Sequence, residues 1–274
     1  MRGEMGVHVP RVQVFTFTGI CTGTPFKELE QLVGSAKLTE IRRQKQDWQC
    51  EASKLFAEQK TDEALQCYQE QGCVTITSTN EQAIASLVTD YMQDVKQRGV
   101  PGSRLALAHR RKDVHLINQS IRSAHQQAGF LKDGIKIKTD HGQREFCVGE
   151  RIVLTRNDRD LNLRNGMLGT VTGIKNGSIT VTIDGDNITR AINPKIYTAI
   201  DHGYATTIHK SQGATVDKCL VLASKTMDRH LTYVAMSRHR LETQLYVAQA
   251  MKMSFLKPKG RQIIRLLESK GPNR

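Results

Sequence analysis

The hydrophobic rhythm of the chain changes twice. Val74–Thr77 alternates apolar and hydroxyl residues, the pattern of a strand. Ser78-Thr79-Asn80 comes next, with helix-capping chemistry. Ile84, Leu87, Val88 and Tyr91 then keep helical spacing up to Arg98. Residues 99–102 predict a turn, Arg104–Ala108 a second strand and residues 114–129 a second helix. A β-α-β-α order predicts a mostly parallel sheet. Upstream, residues 28–33 and 40–68 read as helical, with Leu55, Ala64, Leu65 and Tyr68 as apolar positions and Gly72 as a stop. Val12, Val14, Phe15 and Phe17 are compatible with a further strand, but residues 1–18 remain unassigned.

From about Gly142 the period shortens. Phe146, Val148, Ile152 and Leu154 suggest a strand, and Gly166, Gly169 and Gly173 punctuate the next stretch. Asn176-Gly177 and Asp184-Gly185 are both tight-hairpin signals, and Ser178–Ile183 alternates between them, as does 188–192. Several short antiparallel strands so close together predict a small barrel over 142–195. Afterwards the first rhythm returns. Residues 219–223 predict a strand, 227–237 a helix and 245–248 a closing strand. Residues 251–274 form a basic tail with one acid, Glu268, and one short amphipathic helix over Ile263, Ile264, Leu266 and Leu267.

Composition narrows the class. With 274 residues, 38% hydrophobic and 24% charged, the chain reads as globular. Its formal net charge of +13 favours a polyanionic partner, most commonly nucleic acid. The six cysteines form no Cys-x-x-Cys pair, which argues against zinc and against a disulfide framework. No apolar run approaches the roughly 20 residues of a membrane helix, and no signal peptide is evident. A cytoplasmic protein without membrane partners is expected.

The chemistry concentrates in Tyr204-Ala-Thr-Thr-Ile-His-Lys-Ser-Gln-Gly213 and Tyr233-Val-Ala-Met-Ser-Arg238. Hydroxyls and backbone near a glycine are donors that suit phosphate oxygens. Lys210 adds a point charge and His209 a switchable donor. An ordinary surface turn can have the same composition, and Arg238 after a helix also suits the helix dipole. The two stretches together resemble motifs V and VI of superfamily 1 DNA helicases, specifically the RecD-like motor of Ti-type TraA conjugative relaxases. Leu38-Thr-Glu-Ile-Arg-Arg-Gln44 is similar to that family's motif IV. The resemblance runs from about Gly19 to Val247.

The resemblance implies an α/β fold: the RecA-like (P-loop NTPase-like) second helicase lobe with an inserted SH3-like β-barrel. Its implied division is a helical lead-in with motif IV at 19–72, a discontinuous lobe at 73–141 and 196–250, and the barrel at 142–195. It implies catalytic arginines Arg238 and Arg43, and nucleotide contacts from Gln44, Gly213 and Arg238. Single-stranded DNA would meet Thr206, Thr207, His209, Lys210 and Ser211. The family usually places Thr and Asn after the second strand, where this chain has His109-Arg110-Arg111, so Arg110 becomes a substitute phosphate contact.

A first motor lobe supplies the P-loop lysine and the acidic pair for Mg²⁺. There is no Gly-Lys dipeptide here, and Asp62-Glu63 lies in a helical stretch. The expectation is an incomplete motor, inactive alone, in which ATP and Mg²⁺ are held only with a P-loop-bearing partner and no metal ligand comes from this chain. Two other readings stay open: a non-enzymatic single-stranded DNA-binding protein, and a subunit that completes a partner's ATPase site in trans.

Overall fold

The computed structural model describes residues 41, 43–99, 103–185 and 188–249. The sequence readings for the amino-terminal 40 residues and for the basic tail lie outside the described residues.

Two helices lead in: α1 (Asp47–Ala57) and α2 (Thr61–Glu70). The sequence predicts one helix here. It breaks at Gln59, whose φ of 64° lies in the left-handed region and cannot continue a helix. The next elements match the expected alternation: β1 (Val74–Thr77), α3 (Asn80–Arg98), β2 (Arg104–Ala108) and α4 (Arg111–Gln127). Thr79 and Gln82 form a reciprocal capping box at the start of α3, a device worth about 1 kcal/mol. The later lobe elements are β10 (Ala205–Thr207), β11 (Val216–Leu222), α5 (Arg229–Met236) and β12 (His239–Ala248). β12 starts six residues earlier than its apolar signal, because β11 supplies partners that a polar segment cannot advertise.

These strands form one parallel sheet in the order β1-β12-β11-β2-β10. Every residue of β2 is buried, as a parallel strand covered on both faces must be. Leu105 and Leu107 pack on one side with α1, α2 and α5. Ala106 and Ala108 face the other side, with α3 and α4. The alternation of strand side chains thus produces three layers. Arg104 and Asp94, both nearly inaccessible, pair at 2.7 Å on the α3 side. Losing one partner of such a pair costs about 3–5 kcal/mol.

Between α4 and β10 the chain builds an antiparallel region. Its strands are β3 (Ile135–Thr139), β4 (Gly142–Phe146), β5 (Arg151–Leu154), β6 (Leu168–Lys175), β7 (Ser178–Ile183), β8 (Thr189–Ile192) and β9 (Ile200–His202). β3 and β4 make a hairpin, and the others form a sheet in the order β8-β7-β6-β5-β9. Ile137 and Phe146 of the hairpin share one apolar core with the sheet. The antiparallel strands therefore run from Ile135 to His202, wider than the expected 142–195. The ladder stays open at β8 and β9 among the described strands. Asn176-Gly177 does make a tight turn, both residues at positive φ. Asp184-Gly185 follows β7, which pairs antiparallel with β8, and Ile183 N–H bonds to Ile188 O. The Asp184 carboxylate receives both guanidinium arms of Arg151, at 2.8 and 2.5 Å.

The insertion is fused to the lobe. Val153 and Leu168 belong to the same core as Ile208 and Val216. At the return point, a Cβ on Gly203 would lie 2.3 Å from the backbone of Ile152, so no larger residue fits. Glu150, fully buried, accepts from Tyr204 OH at 2.6 Å and from Arg122 at 3.2 Å. Asn118 holds Ala205 at both ends, donating to its carbonyl and accepting from its N–H, each at 3.0 Å. Among the described residues, no helix is long and apolar enough to cross a membrane, and the described cysteines are free.

Two outcomes test this packing. Tyr204→Phe removes one bond to a buried carboxylate and should cost about 1.5–3 kcal/mol in urea unfolding. Burial holds His125 and His239 down to about 4, from a usual 6.5. Their folded pKa values lie below the unfolded ones, so the unfolded chain binds more protons between pH 4 and 6.5. Stability should fall as pH drops through that window, by about 1.4 kcal/mol per pH unit for each histidine. His125→Gln should show a shallower dependence in the same titration.

Candidate nucleotide and strand-binding site

Two cavities gather half of the predicted residues. The first, of about 510 Å³, is lined by Arg43, Gln44, Lys45, Thr215, Tyr233 and Arg240, among others. Arg238, between α5 and β12 and only 9% exposed, follows the lining residue Ser237. Its Nε donates to Val234 O at 2.8 Å and its second arm to Ser237 Oγ at 3.1 Å. The bond to Val234 O caps the end of α5, where a cation also suits the helix dipole. Arg43 donates to Ser237 O at 2.7 Å. The buried amide of Gln44 reaches the carbonyls of Ser237 and His239, each at 3.3 Å. Non-local contacts thus bring Arg43, Gln44 and Arg238 onto one short turn.

Neither arginine makes an ion pair among the described residues. Burial, and then the nearby Arg43, pushes Arg238 down to about 10. Burial likewise lowers Arg43. Two partly desolvated like charges without a counter-ion form a site that an anion would relieve. Among the described residues the lining contains no carboxylate, so these residues by themselves do not fit a Mg²⁺.

The second cavity, of about 650 Å³, runs between α4 and the insertion. Thr206, Thr207 and Lys210 line it, together with Arg111, Arg122 and Arg144. Thr207 Oγ1 accepts from the N–H of Lys210 at 3.3 Å and holds the turn. Other expected contacts fall elsewhere. Ser211 is 1% exposed and donates to Ile208 O at 2.7 Å, so its hydroxyl shapes the turn. Arg110 is bound through two nitrogens to Asp113, at 2.7 and 3.2 Å, outside the groove lining. His209 is exposed but packs edge-on against His109, with centroids 5.7 Å apart. Gly213 takes φ +87° with open space around it. Its positive φ favours glycine at this turn, and it lines a third cavity with Gln212 and Thr215.

Arg111, Arg122, Arg144 and Asn118 escaped sequence reasoning. For Arg111 a signal existed. Asp113 stands three residues after Arg110 and neutralises it, while Arg111 shares a helical face with His115 and Arg122. For Arg122 and Arg144 there was none, since Glu145, Glu150 and Asp201 reach them only through the fold.

Residues 106–247, just over half of the chain, match the family described as the viral superfamily 1 RNA helicase core domain. Residues 17–79 match an AAA domain. The chain belongs to the superfamily 1 helicases. Within that class it is similar to the conjugal transfer protein TraA of Rhizobium radiobacter, 39% identical over 226 residues, 82% of this chain and 20% of the relative. It is also similar to the ATP-dependent RecD2 DNA helicase of Deinococcus radiodurans, 28% identical over 152 residues, 53% of this chain and 20% of that one. Among solved structures, a Pif1 helicase from Bacteroides with ADP-AlF3 and ssDNA aligns over 79% of this chain and 53% of that one, at 22% identity and a TM-score of 0.46. The chain spans about a fifth of the length of the TraA relatives it matches.

The groove separates the two neighbouring arginines. With single-stranded DNA as a polyanionic probe, Arg111→Ala should weaken binding and lower the salt slope by about 0.7. Arg110→Ala should change neither by much, because its charge is already satisfied by Asp113. Fluorescence anisotropy across a salt series checks both.

Proposed function

We propose that this chain supplies the second half of a DNA helicase motor of the TraA type. The observation that carries the reading is the Arg43–Arg238 pair: Arg43 lines the cavity and bonds Ser237 O, the buried Arg238 bonds Ser237 Oγ, and neither makes an ion pair among the described residues. ATP held by a P-loop lobe, on a partner or on another part of a longer protein, would place its terminal phosphate there. Arg238 and Arg43 would stabilise the charge that develops on the transferred phosphoryl oxygens. Such arginines contribute about 10³–10⁵ in rate. Gln44 positions Arg43 by fixing the same turn. Mg²⁺ would be held by the acids of the P-loop lobe.

Single-stranded DNA would lie in the groove beside Thr206, Thr207 and Lys210. The turn at 208–213 stands between the two sites. Thr207 and Lys210 line the groove, Gln212 and Gly213 line the third cavity, and Thr215 lines both that cavity and the arginine cavity. Movement of the turn on nucleotide binding would therefore reach the strand. We read the antiparallel insertion as the SH3-like barrel of this helicase class. Its single apolar core and its place between α4 and β10 support that reading.

The purified chain should hydrolyse no ATP above background, with or without single-stranded DNA. Added to a P-loop lobe of the same family, it should restore DNA-dependent turnover, and Arg238→Lys should remove most of it. Turnover by the chain alone, abolished by the same substitution, would show a complete nucleotide site and defeat the half-motor reading.

A further inference from the structure

The groove along α4 has two chemically different ends. Near the 208–213 turn stand Arg111 and Lys210, both exposed, and neither makes an ion pair among the described residues. Farther along α4 the remaining guanidinium groups are already matched. Arg122 meets Glu145 at 3.1 Å and Glu150 at 3.2 Å. Arg144 meets Asp201 at 3.2 Å. A phosphate arriving there would face the partly exposed carboxylates of Glu145 and Asp201 and, among the described lining residues at that end, no unpaired arginine or lysine.

Neutral hydrogen-bonding groups occupy that end instead. Gln119 and Gln126 project from α4, and Gln143 faces them from the β3–β4 hairpin. All three are exposed, and their amides make no hydrogen bond among the described residues. An amide offers a donor and an acceptor side by side, the pattern that pairs with the edge of adenine. In a single strand those edges are open. From Arg111 to Gln126 the helix spans about 22 Å, room for several nucleotides.

We infer that the groove is divided by function. Arg111 and Lys210 hold the phosphate backbone, while Gln119, Gln126 and Gln143 read base edges and favour adenine-rich single strands. The division deepens the strand-binding reading and rests on it. Backbone contacts are blind to sequence, and amide contacts are not.

The test is anisotropy of the full chain with oligo(dA), oligo(dT) and oligo(dC) of one length over a salt series. The wild-type chain should bind oligo(dA) about fivefold or more tightly than oligo(dT). The triple substitution Gln119→Ala, Gln126→Ala, Gln143→Ala, all on exposed positions, should bring the homopolymers to equal affinity and leave the salt slope unchanged. Equal binding of all homopolymers by the wild-type chain would overturn the division while leaving strand binding intact. So would a triple variant that loses affinity equally on every homopolymer with a shallower salt slope, since phosphates would then lie at the glutamines. If the wild-type chain binds no single strand, the strand reading itself fails and this one with it.

Discussion

A buried carboxylate anchors the site. Glu150 stands in the seam where the antiparallel insertion meets the parallel sheet, with no exposure to water. Such a charge is expensive unless every bond is made. Tyr204 and Arg122 make them, one from the chain that returns to the sheet and one from α4. Three segments distant in sequence must therefore meet in one geometry before the carboxylate is satisfied. Gly203 lets the returning chain press against Ile152, and Asn118 receives Ala205 as the next residue enters β10. The edge strand carrying Thr206 and Thr207 is placed by this joint.

Charge is distributed by a consistent logic. Where an arginine serves the architecture, an acid lies within reach: Arg104 with Asp94, Arg151 with Asp184, Arg122 with Glu145 and Glu150. Elsewhere, among the described residues, Arg43 and Arg238 share a turn without an ion pair, and Arg111 and Lys210 line the groove without one. A net charge of +13 says only that anions are attracted. The pairing pattern says where they would bind.

The lobe was legible because parallel strands covered on both faces must be continuous apolar runs, and helices must carry spaced apolar stripes. Residues 104–108 and the positions from Ile84 to Tyr91 carry those signals locally. The arginine site was partly legible: Gln44 and Arg238 carry motif identity, although the structure unites them through Ser237, which no spacing reveals. The weak points were segments whose partners lie far away. β3 and β9 are short and mixed, so the insertion looked narrower than it is. Residues 239–244 are polar, and only β11 makes them strand.

What the sequence by itself determined was the alternation of strands and helices, the change to antiparallel rhythm and the two stretches that carry the family resemblance. Local propensity and periodicity are written in neighbouring residues. Tertiary structure alone decided which cations remain free. Arg110 and Arg111 are adjacent and chemically identical, yet one is bound to Asp113 and the other opens onto the groove. Ser211 lies in the expected phosphate loop, yet its hydroxyl is buried against Ile208. Availability depends on neighbours in space, and those neighbours come together only when the insertion docks on the lobe.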